Sequence, residues 1–344
     1  AVASRQTRCE VSRGRALRVL IVKLSSLGDV IQTMPVIEDM KANLPGVQID
    51  WVVEEAFADL VSKASGITRV IPCAERRWRK SPFKRETKKE WTQFWQTLNE
   101  VAYDAVIDFQ GLIKSARIAR GAHLTPDGFS ATYANKSDLC AYEWPVRWLL
   151  QKTVPMEKQI HAVARYRALA ARALGYESSG VLGRSPVYPL TAAALADRNG
   201  IMFAHGTTRL DNEWPFDSWV ELGQRFIQQG EVIYLPQAND REAELVQRLA
   251  HVLGDHAHVL PRMKLSEVLT HMAICRAVVS VDSGLGHLAV ALNLPVVQLF
   301  SQPRISRAGP VGVPHQCAVG GDHVPSVEET WDACASCLAA DSQK

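Results

Sequence analysis

Short apolar, β-branched runs alternate with stretches of helical periodicity along this chain, and they do so twice over. Leu17 to Leu24 is the first run; it breaks at Ser25, Ser26 and Gly28, after which Val30, Ile31, Met34, Ile37 and Met40 recur at helical spacing. Further strands are predicted at Gln48 to Val53, Arg69 to Cys73 and Ala105 to Phe109, with a helix over Glu86 to Val101. The second half repeats the theme with strands at Ile201 to Ala204, Val232 to Leu235, Ala277 to Val281 and Val296 to Phe300. Helices are predicted between them at Phe216 to Gln229, Arg241 to Leu253 and Gly286 to Ala291. Strands that alternate with helices specify a parallel, doubly wound sheet. The chain therefore reads as α/β with two facing Rossmann-like domains. Ligands of such sheets bind beyond the carboxyl ends of the strands, which places the expected site in the crevice between the domains.

At 344 residues the chain exceeds one comfortable core, and two domains of about 150 residues are the natural division. Residues 1–15 are arginine-rich without an apolar pattern and read as a disordered leader. Residues 16–185 then form the N-terminal domain, 186–200 the linker and 201–344 the C-terminal domain. A hydrophobic share of 47% against a charged share of 22% excludes a disordered chain. A net charge of +3 is too small for the whole surface to bind a polyanion, and nucleic acid is not implied. No apolar run reaches the roughly 18 to 20 residues of a spanning helix, and no secretory core opens the chain, so a cytoplasmic protein is expected. Seven scattered cysteines fit a reducing compartment. Cys334 and Cys337 have C-x-x-C spacing but no second pair and no βαβ redox context.

Four constellations could carry chemistry. In Lys23 to Val30 a strand runs into a glycine-bearing loop and then a helix, with Asp29 at the helix start, where it either caps or serves as a carboxylate at the strand edge. Val278 to Leu292 repeats the pattern, with Gly284 and Gly286 allowing close approach of a phosphate, Asp282 at the strand end and His287 in the first helical turn; it is either a diphosphate and sugar clamp or a capped helix with a solvated histidine. His205 to Pro215 offers the hydroxyls of Thr207 and Thr208 and the charge of Arg209 to phosphate oxygens, while Asp211 or Asn212 is a candidate cap for the following helix. Glu75 to Lys89 carries eight Lys or Arg residues with Trp78 and Phe83 interleaved; it is either a solvated helix face or a site for a phosphorylated or carboxylated acceptor. Glu242 opens a helix where a nucleotide-binding half offers a carboxylate to ribose, or serves only the helix dipole.

The segments VLIVKLSSLGDVIQTMP, IDWVVEEAFA, RRWRK, YDAVIDFQGLIKSA, HAVARYRALAARALGY and SVDSGLGHLAVAL stand in an order that resembles the ADP-heptose lipopolysaccharide heptosyltransferases of the glycosyltransferase B fold, those of type I above all. The resemblance implies an inverting transfer of L-glycero-D-manno-heptose from ADP-heptose to the Kdo of lipid A. It implies Asp29 as general base with Ser26 beside the reacting centre. Thr207, Thr208, Ser283, Gly284 and Leu285 would hold the diphosphate side of the donor, Glu242 the ribose, Met263 the adenine, Asp282 the heptose, with His287 matching a family histidine. Arg76, Arg77, Arg79, Lys80 and Lys114 would bind the acceptor at the cytoplasmic face of the inner membrane, where the protein would sit peripherally. No metal and no cofactor beyond the donor substrate are implied. The chain departs from the family at Asn212, where a lysine is usual, and at Phe300 to Pro310, where the usual turn is replaced; Arg209, Arg304 and Arg307 are the cations that could compensate. The alternatives are a heptosyltransferase with a protein acceptor, a nucleotide-sugar epimerase, and a non-catalytic binder. A dinucleotide oxidoreductase is disfavoured, because G-x-G-x-x-G is missing after the first strand.

Overall fold

The computed structural model describes residues 16–178, 188 and 198–342. The leader expected over 1–15 and most of the expected linker lie outside the described residues. The chain divides into two compact units, 1–185 and 186–344.

The first unit is built on six parallel strands, β1 (Arg18–Val22), β2 (Gln48–Glu54), β3 (Arg69–Cys73), β4 (Tyr103–Asp108), β5 (Leu124–Tyr133) and β6 (Lys152–Val154), in the order β3-β2-β1-β4-β5-β6. Val22 pairs with Val52 on one side and with Asp108 on the other, so β1 lies at the point where the strand order reverses. Helices cover both faces of such a sheet, which is why β1 reads as an unbroken apolar run: Val19 to Val22 are all fully buried. At the opposite end of β1 the buried carboxylate of Asp50 receives both Arg18 and Arg69 at 3.1 Å, which ties the first three strands together.

The second unit repeats the plan with β7 (Ile201–Ala204), β8 (Ile233–Leu235), β9 (Ala257–Val259), β10 (Ala277–Val281), β11 (Val296–Phe300) and β12 (Gln316–Gly320), in the order β12-β11-β10-β7-β8-β9. Read from β9, this is the same winding as the first unit. Its switch point falls between β7 and β10.

Strands β3, β7, β10 and β11 have the bounds expected from sequence. Strand β5 was not expected, and its residues explain why. Pro126 and Gly128 interrupt it, none of its first five residues is buried, and its register shifts against β4. The charge run is helical at Glu75–Lys80, with Trp78 turned into the core. One expectation is corrected: neither Asp211 nor Asn212 caps the helix Phe216–Gln228, whose N-cap is Pro215. Asp211 is held by Arg209, and Asn212 turns onto Asp282 instead. Cys334 and Cys337, on the helix Val327–Asp341, are buried in the apolar core of the second unit.

Candidate active site

The break after β1 is a short loop that enters the helix Leu27–Thr33. Ser26 is its N-cap and Asp29 its third residue. Oδ2 of Asp29 accepts from the Ser26 amide at 3.3 Å and from Ser26 Oγ at 2.9 Å, so the carboxylate closes the capping arrangement. Oδ1 accepts from the hydroxyl of Tyr166, on the helix Ala162–Leu174, at 2.8 Å. Buried Lys23 in turn donates to that hydroxyl at 3.2 Å and lies over the Tyr166 ring. Capping and catalytic readings of Asp29 are compatible here, because the helix start holds a carboxylate that remains partly exposed at the carboxyl edge of the sheet.

The loop is braced from below. Gln110 Oε1 accepts from the amides of Leu24 and Ser25 at 3.2 and 3.1 Å, and Trp51 Nε1 donates to the Lys23 carbonyl at 3.0 Å. Asp108 accepts from the amides of Gln110 and Gly111, and complete burial pushes its carboxyl up to about 6 against those hydrogen bonds. Sequence reasoning did not single out Lys23, Asp108, Gln110 or Tyr166. The signal that could have found Asp108 and Gln110 is the break after β4 at Gly111, which resembles the break after β1.

Of the residues expected to meet the acceptor, Arg76 is placed by its amide on Glu54 Oε1 at 3.0 Å, while Arg79 and Lys80 stand exposed on the same helix. Arg77 is engaged by Glu55 at 3.0 Å and Glu90 at 2.7 Å. Lys114 is the second residue of the helix Ile113–Gly121 after β4. Burial raises the carboxyls of Glu54 and Glu75 above the usual range, opposed by Arg76 and Lys114 at the first and by Arg79 and Lys114 at the second.

In the second unit the loops that leave the strands collect the expected donor residues on one sheet edge: Thr207 and Thr208 after β7, Glu242 after β8, Met263 after β9, and Asp282 to His287 after β10. Asp282 is the hub. Its carboxylate receives Asn212 Nδ2 at 3.2 Å and Arg304 Nη1 at 3.4 Å on Oδ2, with His287 Nε2 3.7 Å from Oδ1. Ser283 caps the helix Gly284–Ala291 by accepting from the Gly286 amide at 3.4 Å. A Cβ on Gly286 would stand 2.6 Å from both Ser280 Oγ and Gln298 Nε2, so only glycine lets this helix start lie so close to β10 and β11. Glu242 accepts from the Ala238 amide at 2.7 Å and from Asn239 Nδ2 at 2.8 Å, in a helix start that also abuts Gly206. Thr208 is exposed, Thr207 accepts from the Arg209 amide at 3.2 Å, and Arg209 is held by Asp211. Among the described residues no group of three or more His, Cys, Asp or Glu side chains is placed to hold a metal ion.

Residues 91–331 match the model of glycosyltransferase family 9 (heptosyltransferase). The chain belongs to that family. A family relative, lipopolysaccharide heptosyltransferase 1 of Pseudomonas aeruginosa, is 40% identical over 330 residues, which cover 94% of this chain and 86% of the relative. The heptosyltransferase 1 of Salmonella typhimurium is 41% identical, covering 83% of this chain and 88% of its own length. The E. coli heptosyltransferase WaaC, solved with ADP-2-deoxy-2-fluoro heptose, matches at a TM-score of 0.78 and 36% identity, over 92% of this chain and 98% of that one. The two six-stranded sheets are those of the glycosyltransferase B fold.

Proposed function

We propose that this family 9 enzyme transfers L-glycero-D-manno-heptose from ADP-heptose to the Kdo of lipid A, with inversion, in synthesis of the lipopolysaccharide inner core. Relatives at about 40% identity and the WaaC complex support the heptose donor. The observation that carries the mechanism is Asp29, held at the edge of β1 by Ser26 and Tyr166 yet partly exposed.

The acceptor hydroxyl attacks the anomeric carbon opposite the departing ADP. The new C–O bond takes the hydroxyl's electrons, its proton passes to the Asp29 carboxylate, and the bond to the diphosphate breaks with its electron pair on ADP. Tyr166, which donates to Oδ1, fixes the orientation of the carboxylate. Charge on the leaving diphosphate is met by amides at the start of the helix Gly284–Ala291, by the loop after β7 and by Arg304 beside Asp282. Preorganised donors of this kind can each contribute about 3 kcal/mol to the transition state, so the reading calls for no metal or cofactor.

Arg76, Arg79, Lys80 and Lys114 suit the carboxylate of Kdo and the phosphates of lipid A. A lipid acceptor brings the protein to the cytoplasmic face of the inner membrane as a peripheral protein. That placement is supported by Trp144 and Trp148, 61% and 63% exposed on one short turn, with Arg147 over the Trp148 ring. No described helix is long and apolar enough to cross a membrane.

The test is to incubate the enzyme with ADP-heptose and Kdo-lipid A and to follow both ADP and the glycolipid. Heptosylated lipid with an inverted anomeric centre is the expected product. Isomerisation of the nucleotide sugar without acceptor would show an epimerase, and binding without turnover an inert binder.

A further inference from the structure

A cleft of about 490 Å³ lies beside the helix Ile113–Gly121, lined by Glu75, Trp91, Trp95, Lys114, Arg117 and Arg120. That volume falls within the roughly 300 to 1,000 Å³ of small-molecule sites. Three cations follow one another at i, i+3 and i+6 along the helix, an arrangement that costs repulsion unless an anion offsets it. Among the described residues none of the three is held in an ion pair, whereas nearby Arg77 is held by two. Among the described residues Glu75 is the only carboxylate lining the cleft, and burial raises it above the usual carboxylate range despite Arg79, Lys114 and Arg117.

The lining is aromatic as well, and its rings are packed against neighbours. Trp91 meets Trp78 edge-on at 5.4 Å and Trp95 at 6.1 Å, and Trp95 meets Phe94 at 5.4 Å. Trp95 lies so close over the helix end that a Cβ on Gly121 would stand 2.5 Å from its ring. Direction matters as well. Lys114 follows β4, whose last residue Asp108 pairs with Val22 at the end of β1, so this cation lies at the same sheet edge as Asp29. Arg120 lies about 9 Å further along the helix axis, so the cleft leads away from that edge by a distance comparable to one or two sugar rings.

We infer that this cleft is a second anion subsite of the acceptor, taking a phosphorylated sugar whose apolar face lies on Trp91 and Trp95 while Lys114, Arg117 and Arg120 hold its phosphate. The inference rests on the reading of the acceptor as a phosphorylated glycolipid. Arg forks suit phosphate oxygens, and an aromatic wall buries the C–H face of a pyranose that a bare phosphate lacks.

The experiment uses the full chain and the exposed double variant Arg117→Ala/Arg120→Ala. Glucosamine 1-phosphate, inorganic phosphate and glucosamine are titrated calorimetrically into both, and KM is measured for Kdo-lipid A with and without its phosphates. Glucosamine 1-phosphate should bind the wild type more tightly than either fragment, and the double variant should weaken that binding about tenfold or more. KM for the phosphorylated acceptor should rise by a similar factor, with ADP affinity and KM for the dephosphorylated acceptor unchanged. Trp95→Ala should weaken the sugar phosphate and leave inorganic phosphate alone. Unchanged binding and KM in the double variant overturns the subsite. Inorganic phosphate bound as tightly as the sugar phosphate overturns it too, since the aromatic wall then takes no part. If the wild type turns over no Kdo-lipid A, the transferase reading fails by itself, and calorimetry still decides the cleft.

Discussion

Tyr166 donates its hydroxyl to Oδ1 of Asp29 at 2.8 Å, although 137 residues separate the two in sequence. Lys23 donates to the same hydroxyl at 3.2 Å, so a buried ammonium, a phenol and a partly exposed carboxylate stand in line. Asp29→Asn should keep the fold and ADP affinity and lower turnover about 100-fold or more, as loss of a general base does. Tyr166→Phe removes a hydrogen bond to a charged group, which is worth about 1.5 to 3 kcal/mol. Turnover should then fall about tenfold or more while ADP affinity holds. Single-turnover rates of both variants within threefold of wild type would remove Asp29 from the role of base.

Asp108 provides a pH test. Its carboxyl is raised to about 6 in the fold, whereas an unfolded aspartate titrates near about 3.9. Between those values the native state keeps a proton that the unfolded chain has released, so this residue's contribution is full below about pH 4 and is lost as pH rises through about 6. Asp108→Asn cannot titrate and retains an oxygen for the Gln110 and Gly111 amides. The melting temperature of wild type minus variant should therefore be largest near pH 4 and smallest at pH 7, as read by calorimetric scans. A difference that grows with pH contradicts the assignment.

How far such features show in sequence depends on how local their causes are. Strands β1 and β10 are buried on both faces, so burial writes an apolar run, interrupted in β10 only by Ser280, that any window detects. The position of Asp29 at a helix start was legible because strand, loop and helix start lie within one short segment. Tyr166 was not, since its role is created by a helix that docks against the β1 loop from far along the chain. Nor was the cleft of Trp91 and Arg117, because a tryptophan or a cation on a helix reads as core or solvated face until the neighbouring helix is placed. The reversal of the Asn212 reading has the same origin: its partner Asp282 lies 70 residues away, and a local capping preference could not compete with it.

The basic helix Glu75–Lys80 is not uniform. Arg77 is engaged by Glu55 and Glu90, while Arg79 and Lys80 are exposed. Arg76→Ala/Arg79→Ala should raise KM for Kdo-lipid A and weaken its dependence on salt, with donor affinity unchanged. Arg77→Ala should act more through the melting temperature than through KM. Steady-state kinetics at two ionic strengths separate these, and a donor-affinity defect in the double variant would place the patch elsewhere.

The Trp144 and Trp148 rings meet edge-on at 4.7 Å, both largely exposed. Aromatic side chains of this amphipathic kind suit the headgroup level of a bilayer, and Arg147 between them suits anionic lipid. Trp144→Ala/Trp148→Ala should reduce cosedimentation with phosphatidylglycerol vesicles about fivefold or more while leaving turnover of a detergent-dispersed acceptor unchanged. Equal cosedimentation of both proteins would remove this turn from the membrane contact.

Asn212 stands where the resemblance implies a lysine, and the structure shows what surrounds it. The amide is buried against Asp282, with Nδ2 3.2 Å from Oδ2, and the same oxygen receives Arg304 at 3.4 Å. A neutral amide gives a leaving diphosphate roughly half the hydrogen-bond strength of an ammonium, so charge must come from another side chain. Of the candidates, Arg209 is held by Asp211 in its own exposed loop, whereas Arg304 reaches the edge where Ser283 and Gly284 begin their helix. Arg304→Ala should therefore lower turnover about tenfold, equivalent to about 1.4 kcal/mol of transition-state stabilisation, and Arg209→Ala should change it far less. Asn212→Lys in the Arg304→Ala background should restore part of the loss, because an ammonium beside Asp282 replaces the missing guanidinium. The discriminating measurement is kcat for the four proteins at saturating ADP-heptose. If Arg304→Ala turns over normally and Asn212→Lys adds nothing, amides and hydroxyls of the two loops carry the leaving group alone.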